Sequence, residues 1–314
     1  MLKRRIIKRI LITTGALFAC ILVYLIPSPQ TMNASSKYSA LVKKEYIYLL
    51  DDHNMLGRTS VIINSEDLID KANELLDVLI IGGKGESVIP SGFRSIIPSE
   101  TVVNGISFDD GVMQVDFNNS ILDVNKDLEQ SMIEAITYTL TSLKDIIGVV
   151  ITVNGTNLEQ LPNSGYVLPI LLTRDFGINK KYDIVSLNNI NKVVEYYVSK
   201  HNDNYYYVPV TKYVNDDRDK IKIIIEDLTS SNIYMNNLIS FINNNTRLLK
   251  TNIDGNIMEL TFNNYILSDF NSSNILEEVI DTISLSIKDN YNVDEVIFYV
   301  QDKEIYKSVL KTIE

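Results

Sequence analysis

Residues 107–122 read SFDDGVMQVDFNNSIL, and residues 252–267 read NIDGNIMELTFNNYIL. An Asp-Gly turn, a strand and a Phe-Asn-Asn ending thus occur twice, about 145 residues apart. Asp110-Gly111 aligns with Asp254-Gly255. After a one-residue insertion, Phe117-Asn118-Asn119 aligns with Phe262-Asn263-Asn264, and Ile121-Leu122 with Ile266-Leu267. The echo does not keep the acids: Ile253 stands for Asp109 and Thr261 for Asp116. The phrase therefore reads as the hairpin of a duplicated fold, in which Asp-Gly supplies a tight turn. It is not a catalytic signature.

The repetition extends both ways. Downstream, Leu128, Met132, Ile136, Leu140 and Leu143 recur at helical spacing, as do Leu276, Val279, Ile280, Ile283 and Ile287. Short apolar strands follow, VVITVNG from Val149 and VIFYVQD from Val296. Upstream, EYIYLLDDHN (45–54) pairs with VEYYVSKHN (194–202), which sets His53 opposite His201. Each runs through a polar turn into a second strand, TSVIIN or YYYVPVTKYV. A helix comes next: SEDLIDKANELLDVLI, with Ser65 as its expected cap, and DRDKIKIIIEDL. The alternation in GVMQVDFN predicts a sheet with one wetter face, and helices must cover the other. The expected fold class is mixed α/β (α+β): two tandem, homologous two-layer sandwich domains, with helices on one face of a small sheet, after an N-terminal membrane helix. The first domain is expected over 45–155 and the second over 193–314. Residues 156–192, including TRDFGINKKYD, read as a linker able to lend a strand to either.

The charge is lopsided. The formal net charge is −11, yet Lys3, Arg4, Arg5, Lys8 and Arg9 crowd the N-terminus and the first acid is Glu45. Without those five, 24 basic residues face 40 acidic ones, so the remainder carries −16 and should repel nucleic acid. Behind the basic cluster lies an uncharged apolar run from Ile10 to Ile26, ended by Pro27 and Pro29. This predicts a single membrane anchor over residues 1–26 with its N-terminus in the cytoplasm, and a polar tether over 27–44 leading to extracytoplasmic domains. Leu17-Phe18-Ala19-Cys20 offers a lipobox alternative that would make Cys20 a lipidated first residue; a cleaved signal is a third option. Cys20 is the sole cysteine, which excludes an internal disulfide and a thiolate metal site. Heavy use of Asn, Ile, Lys and Tyr without Trp suggests an AT-rich genome, so Asn runs carry little weight.

The quoted residues resemble the GerMN domain family. The first copy supplies Tyr46 and Tyr48, Pro98-Ser99-Glu100-Thr101, Asp110-Gly111, Val115-Asp116-Phe117, Thr139-Leu140-Thr141 and Asn154-Gly155. The second copy lacks the Pro-x-x-Thr and Thr-Leu-Thr residues, so its assignment rests on element order. The resemblance implies a non-enzymatic, extracytoplasmic adaptor of spore formation or germination. In spore formers such proteins belong with the complex bridging mother-cell and forespore membranes, so the implied partners are envelope or sporulation-complex proteins. The alternative is a cell-wall-directed hydrolase or ligand-binding module.

The candidate chemistry is thin. His53 and His201 sit with turn carboxylates in separate domains, short of the converging ligands a metal needs. IIGGKGES (80–87) lacks phosphate-loop spacing, and no nucleophile elbow occurs. Paired acids such as Asp109-Asp110 and Asp216-Asp217 suit turns. No catalytic, cofactor or metal residue is assigned. The tyrosines of VVEYYV (193–198) and NYYYVPV (204–210) read as strand and core residues, with an exposed aromatic partner patch as the alternative.

Overall fold

The computed structural model describes residues 44–230, 237–269 and 273–310. The expected anchor, the tether up to residue 43, and Cys20 lie outside them. Among the described residues no helix is long and apolar enough to cross a membrane.

The first repeat opens with hairpin β1 (Lys44–Asp51) and β2 (Leu56–Ile62). Helix α1 (Leu68–Leu79) follows, capped not by Ser65 but by Asp67, whose side chain accepts the N–H groups of Ile69 and Asp70. The Ser65 hydroxyl instead donates to Glu74. After the short β3 (Phe93–Arg94) comes the hairpin β4 (Val103–Asp109) and β5 (Val112–Phe117). Helix α2 (Glu129–Leu140) then crosses over to β6 (Gly148–Val153), which pairs parallel with β5, and β7 (Thr156–Asn157) closes this four-stranded sheet. A parallel pair requires such a crossover. Sequence spacing predicts a helix with one apolar stripe, yet ten of the twelve α2 residues are buried, Glu129 and Glu134 among them. The helix is a core element, enclosed on several sides.

The second repeat rebuilds the same plan. After β8 (Lys181–Asp183) it has hairpin β9 (Asn191–His201) and β10 (Asn204–Val214), helix α3 (Lys220–Thr229), and hairpin β11 (Leu248–Asp254) and β12 (Ile257–Phe262). Helix α4 (Glu277–Asn290) crosses over to β13 (Glu295–Val300), beside which β14 (Lys303–Val309) closes the sheet.

The opening phrases superpose differently from their spelling. Asp109 pairs with Val112, and Asp254 pairs with Ile257, so the strands align at a constant offset with no insertion. Asp110-Gly111 therefore matches Gly255-Asn256, not Asp254-Gly255. The first turn has positive φ at both Asp110 and Gly111; in the second only Gly255 does. One copy thus uses the both-positive turn and the other the variant with glycine leading, two solutions for the same hairpin twist. Asn118 and Asn263 are not codon noise. Asn118 accepts the Val102 N–H and donates to Glu100 O; Asn263 accepts the Arg247 N–H and donates to Asn245 O. Each pins the chain that enters its hairpin.

The two opening hairpins share a sheet. Strand β2 pairs antiparallel with β10 at Arg58↔Tyr207, and β1-β2-β10-β9 runs through both repeats. Beyond that contact the linker takes over. Asn179, at φ 48°, accepts the Leu56 N–H and donates to the Leu56 and Pro209 carbonyls, and β8 pairs parallel with β10. The described residues accordingly form one compact unit, with one apolar core per repeat and with Met55 and Phe93 reaching from the first repeat into the second core.

Candidate functional site

The repeats meet at equivalent residues. The Tyr48 N–H donates to Thr139 Oγ1 at 3.1 Å, and the Tyr196 N–H donates to Ser286 Oγ at 2.9 Å. Ser286 holds the place of the first threonine of Thr-Leu-Thr. The residue is lost from the second copy, but the hydroxyl that ties helix to strand is kept. The Pro-x-x-Thr turn survives in the same way. Thr101 N–H donates to Pro98 O, and Thr246 N–H donates to Asn243 O. An Asn243 side-chain bond to the Asn245 N–H holds the turn where proline does so in the first copy.

The side chains of Tyr48 and Tyr196 then touch hydroxyl to hydroxyl at 3.1 Å across the seam. Asp289, at the end of α4, accepts the Tyr196 hydroxyl at 2.7 Å. Its partner comes from the linker: Arg174 donates through one nitrogen to both Asp289 oxygens, at 2.7 and 2.9 Å. The second terminal nitrogen of Arg174 reaches Ser142 Oγ at 3.1 Å, Tyr138 O at 3.4 Å and the Tyr48 hydroxyl at 3.5 Å. Its guanidinium also lies over the Tyr138 ring, 4.7 Å from the centroid. Arg174 therefore joins the first repeat, the linker and the second repeat in one polar knot. Burial, reinforced by Asp289, pushes the Tyr138 and Tyr196 hydroxyls well above the ordinary tyrosine range, so both stay protonated.

Two small cavities open beside the knot, each of about 210 Å³, and they share Tyr46, Arg58, Leu285 and Lys288. Arg58 stacks on the Tyr46 ring at 3.4 Å. Burial lowers the Lys288 ammonium, and repulsion from Arg174 and Arg58 lowers it further. Among the described residues, Arg58 and Lys288 have no carboxylate within ion-pair distance. The chemistry on offer is cationic and hydrogen-bonding, suited to holding an anion.

The residues singled out in the sequence scatter around this seam. His53 is exposed, whereas His201 bridges the repeats: its Nδ1 lies 2.8 Å from Asp52 and its Nε2 3.3 Å from Ser91. Among the described residues no group of histidine, cysteine or carboxylate side chains is placed to hold a metal ion. Asp109 and Asp110 lie at an exposed hairpin end. Asp216 pairs with its neighbour Arg218. After the two glycines, Lys84–Val88 forms a short 3₁₀ turn. The tyrosines serve mainly as internal struts: Tyr196, Tyr197 and Tyr206 are buried, and Tyr206 donates to Asp51 and packs edge-on against Phe93 across the seam. Only Tyr205 of this group is exposed. Arg174, Arg58 and Asp289 escape sequence reasoning. The one signal was the equivalence of Tyr48 and Tyr196, which marks the seam but not the charges around it.

Comparisons with known proteins agree with this duplicated build. The family model described as Germane, sporulation and spore germination, matches residues 46–159 and again 195–306. The spore germination protein GerM of Bacillus subtilis (strain 168) is 30% identical over 271 residues, covering 84% of this chain and 73% of that protein. The solved structure of the tandem GerMN domains of the sporulation protein GerM from Bacillus subtilis superposes with a TM-score of 0.76 at 27% identity, over 83% of this chain and 92% of that one.

Proposed function

The chain belongs to the GerMN-domain family of sporulation and spore germination proteins, and from this we propose that it is a membrane-tethered, extracytoplasmic assembly adaptor without catalytic activity of its own. The observation that carries the reading is the fusion of the repeats. A shared sheet and the Arg174 knot join two copies of one domain into a single body. A body of this kind holds two similar outer surfaces at a set spacing, which suits joining envelope components. Strands β4, β11 and β14 lie at the edges of the outer sheets and are largely exposed, so strand addition is open to a partner. The basic cluster and the apolar run 10–26 supply the tether, with the repeats outside the cytoplasm.

The partners in this reading are proteins of the envelope or of the sporulation complex. In-cell crosslinking of the tagged full chain during sporulation, followed by mass spectrometry, tests it. The reading expects envelope proteins crosslinked to the repeats. Recovery of none, or of cytoplasmic proteins alone, would overturn it.

A further inference from the structure

We propose that the cleft beside the seam is a binding site for a single carboxylate, held between Arg58 and Lys288. The two adjoining cavities share both cations. Their lining carries Arg58, Arg174 and Lys288 against Asp281 and Asp289, one positive charge in excess. Both acids are already engaged: Asp289 holds Arg174 and the Tyr196 hydroxyl, and Asp281 accepts the Tyr207 hydroxyl at 2.8 Å. The unmatched charge therefore rests on Arg58 and Lys288, in a chain whose body is strongly acidic.

The duplication supplies a control, because each cation can be compared with its counterpart in the other repeat. Arg58 lies across from Tyr48, and the residue across from Tyr196 is Pro209. Lys288 stands two residues after Ser286 as Thr141 stands two after Thr139. The fold is built once with neutral residues at both places, so it does not require the cations. The Lys288 ammonium, disfavoured by burial and then by Arg174 and Arg58, gains from a ligand that brings a negative charge beside it.

Size and charge choose the ligand class. A cavity of about 210 Å³ is below the roughly 300 Å³ at which small-molecule pockets begin, and it suits one acidic group. A single excess positive charge fits a monoanion; a phosphate dianion would meet Asp281 and Asp289 with one charge uncompensated. Arg58, stacked over Tyr46, brings to the cleft the planar fork of N–H donors that suits a carboxylate.

Calorimetric titration of the full chain in neutral detergent tests the site with acetyl-Gly-Glu-Gly-amide, its Gln analogue, propionate and methyl phosphate. The Glu peptide should bind once per chain, and the Gln peptide about tenfold or more weaker. Propionate binding as tightly as the Glu peptide would assign the site to free acids; weaker propionate binding would assign it to an acidic side chain of a polypeptide. Arg58→Gln and Lys288→Thr should each weaken the Glu peptide about fivefold or more. Lys288→Thr installs the residue of the other repeat and should leave the unfolding midpoint in place, so its loss of binding cannot be attributed to misfolding. Saturation that persists in both variants, methyl phosphate binding as tightly as the Glu peptide, or no saturable binding up to roughly 10 mM would each overturn the proposal. These readouts use defined ligands in vitro, so their failure is distinct from failure of the adaptor reading.

Discussion

Replacing Arg174 by methionine leaves Asp289 inside the seam without its cation. The Asp289 side chain is 3% exposed and the Arg174 side chain 26%. Breaking a buried ion pair on one side costs about 3–5 kcal/mol, because the remaining charge keeps its desolvation penalty. Two features place this pair at the low end: the Tyr196 hydroxyl still donates to Asp289, and water reaches the arginine side. The expected loss is therefore about 3 kcal/mol, a large part of the roughly 5–15 kcal/mol that stabilises an ordinary domain. Asp289→Asn should cost about 2 kcal/mol, since Arg174 keeps Ser142 and Tyr138. The double variant should lose less than the two single losses together, with a coupling of about 1–2 kcal/mol. Urea unfolding checks all four proteins, read as midpoint shifts at constant slope. A loss below about 1 kcal/mol for Arg174→Met, or strict additivity in the cycle, would refute the claim that this pair knits the repeats together.

Other outcomes follow from the duplicated contacts. Thr139→Val and Ser286→Ala should each cost about 1–3 kcal/mol by orphaning the Tyr48 or Tyr196 N–H; hydrogen exchange should accelerate at that one amide, and Thr139→Ser should restore it. Asn118→Ala and Asn263→Ala should each cost about 1–2 kcal/mol in urea unfolding and agree closely, because each removes the same pair of bonds. Burial first, then neighbouring Asp227, holds the Glu195 carboxyl well above its ordinary range. A folded-state value above the unfolded one means stability that is full below the unfolded value and lost as pH rises towards the folded one. Glu195→Gln should therefore change little near about pH 4 and stabilise progressively towards about pH 8, measured as the difference in unfolding midpoint across that range.

Much of the fold was legible because repetition can be read without knowing any contact. The hairpins, the crossover helices and their order all follow from turn signals and apolar spacing that recur in the same order in both copies. The pairing of β2 with β10 was not legible, since strand pattern reveals which face is apolar but not which edge finds a partner. The turn alignment misled for a related reason: Asp-Gly and Gly-Asn close hairpins equally well, so matching letters slid past matching positions. In the second copy the missing motif residues leave only element order to read, yet Asn243 and Ser286 perform the same local bonding with different side chains. The cleft was hidden because Arg58, Arg174 and Lys288 lie far apart in the chain and only the seam brings them together.

The central claim is that the two repeats form one body. Residual dipolar couplings of backbone amides in the full chain measure this directly, by comparing the alignment of residues 45–155 with that of residues 193–310. The account predicts a single alignment tensor for both sets. Two tensors of different magnitude or orientation would show that the repeats move independently, and would contradict it.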